Sequence, residues 1–148
     1  MILIHIYNIY NMKYLSKFEN DIVSILKECL DKTDRNWNYI TPQELKKDLD
    51  TDSSKYFLLD IRKPEDYKKG HIKGAKNIFW MKLLDNLDKL PKDKKIVLIC
   101  YVGHTASQML FALKILKYNV IALKFGMGMS PVEGVPVAGW LDYGFPVK

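Results

Sequence analysis

The sequence predicts an α/β protein, a parallel sheet flanked by helices on both faces and preceded by an N-terminal helical extension. Three observations carry this. Compact apolar runs of strand length stand at 56–60 (YFLLD), 95–100 (KIVLIC) and 120–124 (VIALK). The run KIVLIC is apolar without alternation, as in a strand covered on both faces. Segments with helical signals fall between the strands, the order of a parallel sheet joined by right-handed crossovers.

The elements follow in chain order. Over 14–30 the apolar residues Leu15, Phe18, Ile22, Ile25, Leu26, Cys29 and Leu30 recur at intervals of three and four, the period of an amphipathic helix. Cys29 sits on that stripe, so core packing is its expected role. The polar stretch DKTDRN then separates an N-terminal extension, 1–37, from a main domain, 38–148. WNYI at 37–40 reads as a short strand. In TPQELKKDLD, Thr41 is the expected N-cap, Pro42 stands at the first helical position and Glu44 completes a capping box. After YFLLD, the acidic pair and Pro64 of RKPEDYKKGH suit one helical turn closed by Gly70. AKNI at 75–78 reads as a weaker strand, followed by a helix over 80–87 that ends before LPKDK. The run TASQMLFALKILK places Ala106, Met109, Leu110, Leu113 and Leu116 on one helical face with more apolar residues beside it, a helix packed on two sides. The tail from Gly126 is rich in Gly and Pro before a short helix around Trp140. No internal repeat or low-complexity tract interrupts this order.

Composition limits the function classes. The length of 148 residues is that of one ordinary domain, and the 48% apolar fraction is that of a folded globule. The net charge of +6 comes almost entirely from lysines spread over many short polar stretches, and Arg35 and Arg62 are the only arginines. A chain that reads nucleic acid clusters Arg with aromatics on one face, so a solvated lysine surface is expected here instead of nucleic-acid binding. Cys29 and Cys100 lie far apart, with no CxxC pair and no Cys/His ligand cluster, which speaks against a disulfide framework or a zinc site. The opening MILIHIYNIY is broken by His5 and Asn8, is too short to span a bilayer and lacks a charged leader and small-residue cleavage pattern. A cytoplasmic protein with reduced thiols and no membrane contact is the expectation.

Against that background one segment stands out: CYVGHTAS at 100–107, behind the strand KIVLIC. In an open parallel sheet, binding sites lie beyond the carboxyl ends of the strands. The amides from Tyr101 through Ala106 can curl around the Cys100 sulfur, with Gly103 allowing a backbone angle that a larger residue resists. The helix N-terminus just beyond adds partial positive charge, and such a site is expected to lower the thiol pKa. A lone cysteine at a strand end is more often a small buried hydrophobe, so the loop alone does not decide the matter.

Three separated motifs, in order, add to it. The segment DIRKPEDYKKGHIKGAKNI, the loop CYVGHTAS and the ending GWLDYGFPV resemble the signatures of a rhodanese domain along about 38–148. The sequence departs from that pattern in three places. Position 66 is Asp where Glu is usual, the stretch GMGMSPVEGVPVAGW at 126–140 is longer than the usual link, and the cysteine loop holds no Lys or Arg.

The resemblance implies a rhodanese-like sheet and a single-domain thiosulfate sulfurtransferase that works without a metal or organic cofactor. Cys100 thiolate would attack the outer sulfur of thiosulfate or a similar donor and keep it as a persulfide, which cyanide or a thiol then removes. Tyr101, Val102, Gly103, His104, Thr105 and Ala106 form the cradle, with Thr105 donating its hydroxyl to a donor oxygen. His104 either helps bind the anion when protonated or is a loop histidine without a role. Asp60 and Arg62 either brace the site, meet the substrate or form a structural ion pair. His71 is read as structural, and Tyr67 and Trp140 as core anchors. A phosphatase or arsenate reductase needs an Arg six positions after the cysteine to grip an oxyanion, and that position is Ala106. Two other readings stay open: a persulfide relay to a protein acceptor that docks on the N-terminal helix, and a rhodanese-fold interaction module without catalysis.

Overall fold

The computed structural model describes residues 2–31, 37–129 and 138–148. The chain divides into two compact units, 1–33 and 34–148. The first contains one helix, α1, Ile2–Asp31, which begins well before the apolar stripe that predicted it. Among the described residues no helix is long and apolar enough to cross a membrane.

The second unit is an α/β layer structure. Its strands are β1 (Tyr39–Ile40), β2 (Tyr56–Asp60), β3 (Lys76–Asn77), β4 (Lys95–Ile99) and β5 (Val120–Leu123), and its helices are α2 (Pro42–Thr51), α3 (Pro64–Lys69) and α4 (His104–Ile115). All strand pairs are parallel, in the order β1-β5-β4-β2-β3. From β4 the chain runs to β5 on one side, and from β2 to β3 on the other. The crevice between the ends of β4 and β2 is therefore the topological switch point.

Alternation along the strands sorts the core into two faces. Leu59, Ile96, Leu98, Cys100, Val120 and Ala122 face Ala106, Leu110 and Leu113 of α4, together with Leu83 and Leu90. Leu58, Val97, Ile99, Ile121 and Leu123 face Leu45 of α2, Ile72 and Trp140. The central strands are buried on both sides, which is why KIVLIC carries no polar alternation.

The capping box forms as the sequence predicts. The Glu44 amide donates to Thr41 Oγ1 at 3.2 Å, the Thr41 amide donates to Glu44 Oε2 at 2.9 Å, and Pro42 opens the helix. Several other elements differ from expectation. Trp37 and Asn38 have positive φ, so the strand expected over 37–40 is reduced to Tyr39–Ile40. The helix expected over 80–87 is two 3-10 turns, Trp80–Lys82 and Leu84–Lys89, with Asn86 at φ −128°. Leu83 between them is fully buried, and the anchoring of this one side chain sets the path of a segment with only two short turns around it. Near Trp140 the chain makes a 3-10 turn, Leu141–Tyr143. Leu116, expected on the core face of α4, is exposed, because α4 ends at Ile115 and Lys117 turns the chain with positive φ. The expected DKTDRN linker lies, from 32 to 36, outside the described residues, as does the 130–137 part of the long 126–140 stretch.

Candidate active site

Cys100 directly follows β4 and is 2% exposed. Its Sγ accepts from the Gly103 amide at 3.1 Å and the Ala106 amide at 3.4 Å. Gly103 makes this turn possible: it sits at φ 94°, in the left-handed region, as the N-cap of α4. Ser107 fastens the turn from the helix side, its hydroxyl donating to the Gly103 carbonyl at 2.7 Å and lying 2.7 Å from the Tyr39 hydroxyl.

A second segment closes on the loop from behind. The Met127 amide donates to the Cys100 carbonyl at 2.9 Å and the Gly128 amide to the Tyr101 carbonyl at 3.0 Å. Gly126 passes so close that a β-carbon there has no room beside the Cys100 carbonyl. In the sequence Gly126 reads only as part of a glycine-rich tail; its task is this close approach of two backbones.

The residues expected to form the cradle follow Cys100 in one turn and differ in what they offer. Gly103 and Ala106 are buried and supply amides, Tyr101, Val102 and Thr105 are half-buried, and His104 is exposed in the first turn of α4. Tyr101 turns away from the sulfur: its hydroxyl donates to Asp66 Oδ2 at 2.7 Å and accepts from the Lys63 amide at 3.3 Å, tying the loop to α3. Burial and the Asp66 carboxylate push the Tyr101 phenol up to about 12, so it stays protonated. Lys69 and Tyr101 hold the Asp66 carboxyl below its ordinary value.

Asp60 and Arg62 form a fully buried pair beside the loop. Arg62 Nε donates to Asp60 Oδ1 at 3.0 Å and Nη2 to Oδ2 at 2.6 Å. Nη2 also donates to the Gly70 carbonyl at 2.7 Å, and Nη1 lies 3.6 Å from Met129 Sδ. Neither side chain has an exposed atom, so in this geometry they brace the site. Asn77, which sequence reasoning passed over, completes the brace by donating to the carbonyls of Asp60 and Arg62 at 2.9 and 3.0 Å. His71 stacks on Tyr67 with ring centroids 3.8 Å apart, and Trp140 Nε1 donates to the Pro146 carbonyl at 3.0 Å. Both rings are held by packing and by hydrogen bonds to backbone carbonyls.

The thiol itself corrects one expectation. The amides of Ala106, Gly103, Val102 and Thr105 pull its pKa down, but burial outweighs them and pushes the Cys100 thiol above its ordinary value. A sulfur with so little exposure loses more hydration as a thiolate than four neutral dipoles return. Neither Cys100 nor Cys29 is in a disulfide. Among the described residues no cluster of His, Cys, Asp and Glu has the grouping to hold a metal ion.

A parallel α/β domain with a cysteine in an amide cradle at its switch point defines the class of the protein. The family model for the rhodanese-like domain matches residues 41–128, and the chain belongs to that family. Among solved structures it is similar to a rhodanese-related protein from Thermoplasma volcanium (24% identity, TM-score 0.63, covering 74% of this chain and 96% of that one). It is also similar to a rhodanese-like domain protein from Staphylococcus aureus (26% identity, TM-score 0.58, covering 68% and 98%). A third similar structure is a protein of unknown function, possible tyrosine phosphatase, from Rhodopseudomonas palustris (20% identity, TM-score 0.64, covering 86% and 93%). Among curated proteins none matches the chain.

Proposed function

We propose that the protein is a sulfurtransferase that carries sulfane sulfur as a persulfide on Cys100. The observation that supports this most is the Gly103 and Ala106 amides converging on Sγ at the carboxyl end of β4. When Cys100 ionises and attacks thiosulfate, its Sγ bonds to the outer sulfur and the S–S bond of the donor breaks. The electron pair leaves with sulfite, and Cys100 is left as the persulfide anion. The charged terminal sulfur then takes over the amides that now face Sγ. An acceptor, cyanide in an assay or a thiol, attacks that terminal sulfur and regenerates the Cys100 thiolate. The phosphatase reading lacks its oxyanion grip, since Ala106 stands where an Arg is needed and Arg62 is consumed by Asp60.

The test is the intact mass after exposure to thiosulfate and, separately, to a low-molecular-weight hydrodisulfide, in the unsubstituted protein, Cys100→Ala and Cys29→Ala. One added sulfur that depends on Cys100 and leaves with cyanide supports the reading. No added sulfur with either donor contradicts it and favours an interaction module.

A further inference from the structure

A cavity of about 330 Å³ lies between α2 and the sheet face that α2 covers, and the sulfur chemistry does not use it. Ile40, Tyr56, Lys95 and Ile121 line it from the sheet, and Glu44 and Asp48 from α2. Tyr56 and Lys95 are the first residues of β2 and β4 and stand side by side in the parallel register. Lys95 is separated from Cys100 by the length of β4, about 16 Å of extended chain. Alternation sets the two residues on opposite faces: Cys100 packs with Ile96 and Leu98, whereas Lys95 shares the side of Val97 and Ile99.

The charges of this cavity are unevenly matched. Asp48 accepts from the Tyr56 hydroxyl at 2.5 Å and pairs with Lys55 at 2.7 Å, and these donors hold its carboxyl below its ordinary value. Glu44 Oε2 accepts from the Thr41 amide and hydroxyl in the cap of α2. Lys95 is half-buried, and among the described residues no acceptor meets its ammonium. Lys47 adds a further cation from α2, so Lys47, Lys55 and Lys95 stand against Glu44 and Asp48, one positive charge in excess. The apolar part of the lining is Ile40 and Ile121, both buried in the core on this face.

A half-buried ammonium without a partner favours an anion, since a charged hydrogen bond is stronger than a neutral one and the cavity restricts the water that would otherwise compete. A single carboxylate satisfies Lys95. A dianion such as phosphate brings a second charge toward Glu44 and Asp48, and a cation meets the excess positive charge. An apolar body on the ligand gains by leaving water against Ile40 and Ile121. We propose that this cavity binds a small monocarboxylate with an apolar body, its carboxylate on Lys95 and its body against Ile40 and Ile121. The volume is at the small end of the range for ligand pockets and suits an acid with one phenyl ring. The site is independent of the persulfide function, because it lies on the other face and at the other end of β4 from Cys100.

The experiment titrates the full chain with phenylacetate, with phenethylamine and with inorganic phosphate, and follows the backbone amides by NMR. Phenylacetate is expected to shift the amides of Tyr56, Lys95 and Ile121 with a dissociation constant of about 1 mM, and to leave those of 101–106 in place. Phenethylamine and phosphate are expected to bind about tenfold more weakly or less. Lys95→Met, which keeps the side-chain stem and removes the charge, is expected to weaken phenylacetate about tenfold, and Lys95→Arg to retain it. Phenethylamine or phosphate acting on the same amides as strongly as phenylacetate overturns the proposal. Undiminished phenylacetate binding in Lys95→Met, or none in the unsubstituted protein, overturns it as well. The amide spectrum reports whether each variant is folded, and the three ligands compared on the unsubstituted protein decide the matter without a variant.

Discussion

At the scale of single residues, burial of the Cys100 thiol governs both reactivity and stability. Its pKa is pushed up, so the thiolate fraction and the rate of sulfur loading are expected to keep rising with pH beyond the ordinary thiol value of 9.0. A pH–rate profile of single-turnover loading checks this, and a plateau already reached near neutrality contradicts it. The linkage to folding has a definite sign. The folded protein holds the thiol proton to higher pH than the unfolded chain, so this contribution to stability is full below the ordinary thiol value. It is lost as pH rises through the folded value. Denaturant unfolding over that alkaline range is therefore expected to show a smaller loss of stability for Cys100→Ala than for the unsubstituted protein. Gly103→Ala places a side chain at φ 94° and is expected to cost about 1 kcal/mol or more and to slow loading, because the amide then turns from Sγ. Gly126→Ala is expected to cost more, since its β-carbon collides with the Cys100 carbonyl, whereas Gly103 has ordinary contact space. Equal stabilities for the two variants argue against this account of the loop.

At the scale of elements, two contacts of similar appearance in sequence differ in worth. The Thr41 cap is exposed, and Thr41→Ala is expected to cost about 1 kcal/mol. The Arg62–Asp60 pair is fully buried, and Arg62→Ala, which strands the Asp60 carboxylate, is expected to cost about 3–5 kcal/mol. Urea unfolding of both variants separates these values. The cap and the three long strands were legible in the sequence because each rests on local chemistry: a side chain reaching its own helix, or a run apolar enough for burial on both faces. The segment 80–89 was not. Its apolar spacing suits a helix, but the path is set by the deep burial of Leu83 between turns and the break at Asn86, a tertiary constraint that no local pattern records. The truncated strand at Tyr39–Ile40 has the same kind of cause, since the left-handed backbone at Trp37 and Asn38 delays its start.

At the scale of the whole molecule, the position of Cys100 was readable because chain order implied a parallel sheet and such sheets bind at their carboxyl ends. Its electrostatics were not, because the balance between four amides and desolvation depends on how deeply the sulfur lies, which spacing does not give. The second strand of support, from Gly126 to Gly128 onto Cys100 and Tyr101, joins residues far apart in sequence and was likewise hidden. The unit 34–148 contains the sheet, its helices and every residue of the candidate site. A chain restricted to 34–148 is therefore expected to fold and to load sulfur at a rate close to that of the full chain. A loss of loading with the fold retained would assign α1 a part in the reaction.

Whether Cys100 carries the sulfur is read by peptide-level mass spectrometry after brief exposure to a hydrodisulfide, before and after cyanide. One added sulfur is expected on the peptide containing Cys100, absent from the Cys29 peptide and released by cyanide. Sulfur found only on Cys29, or on neither cysteine, contradicts it.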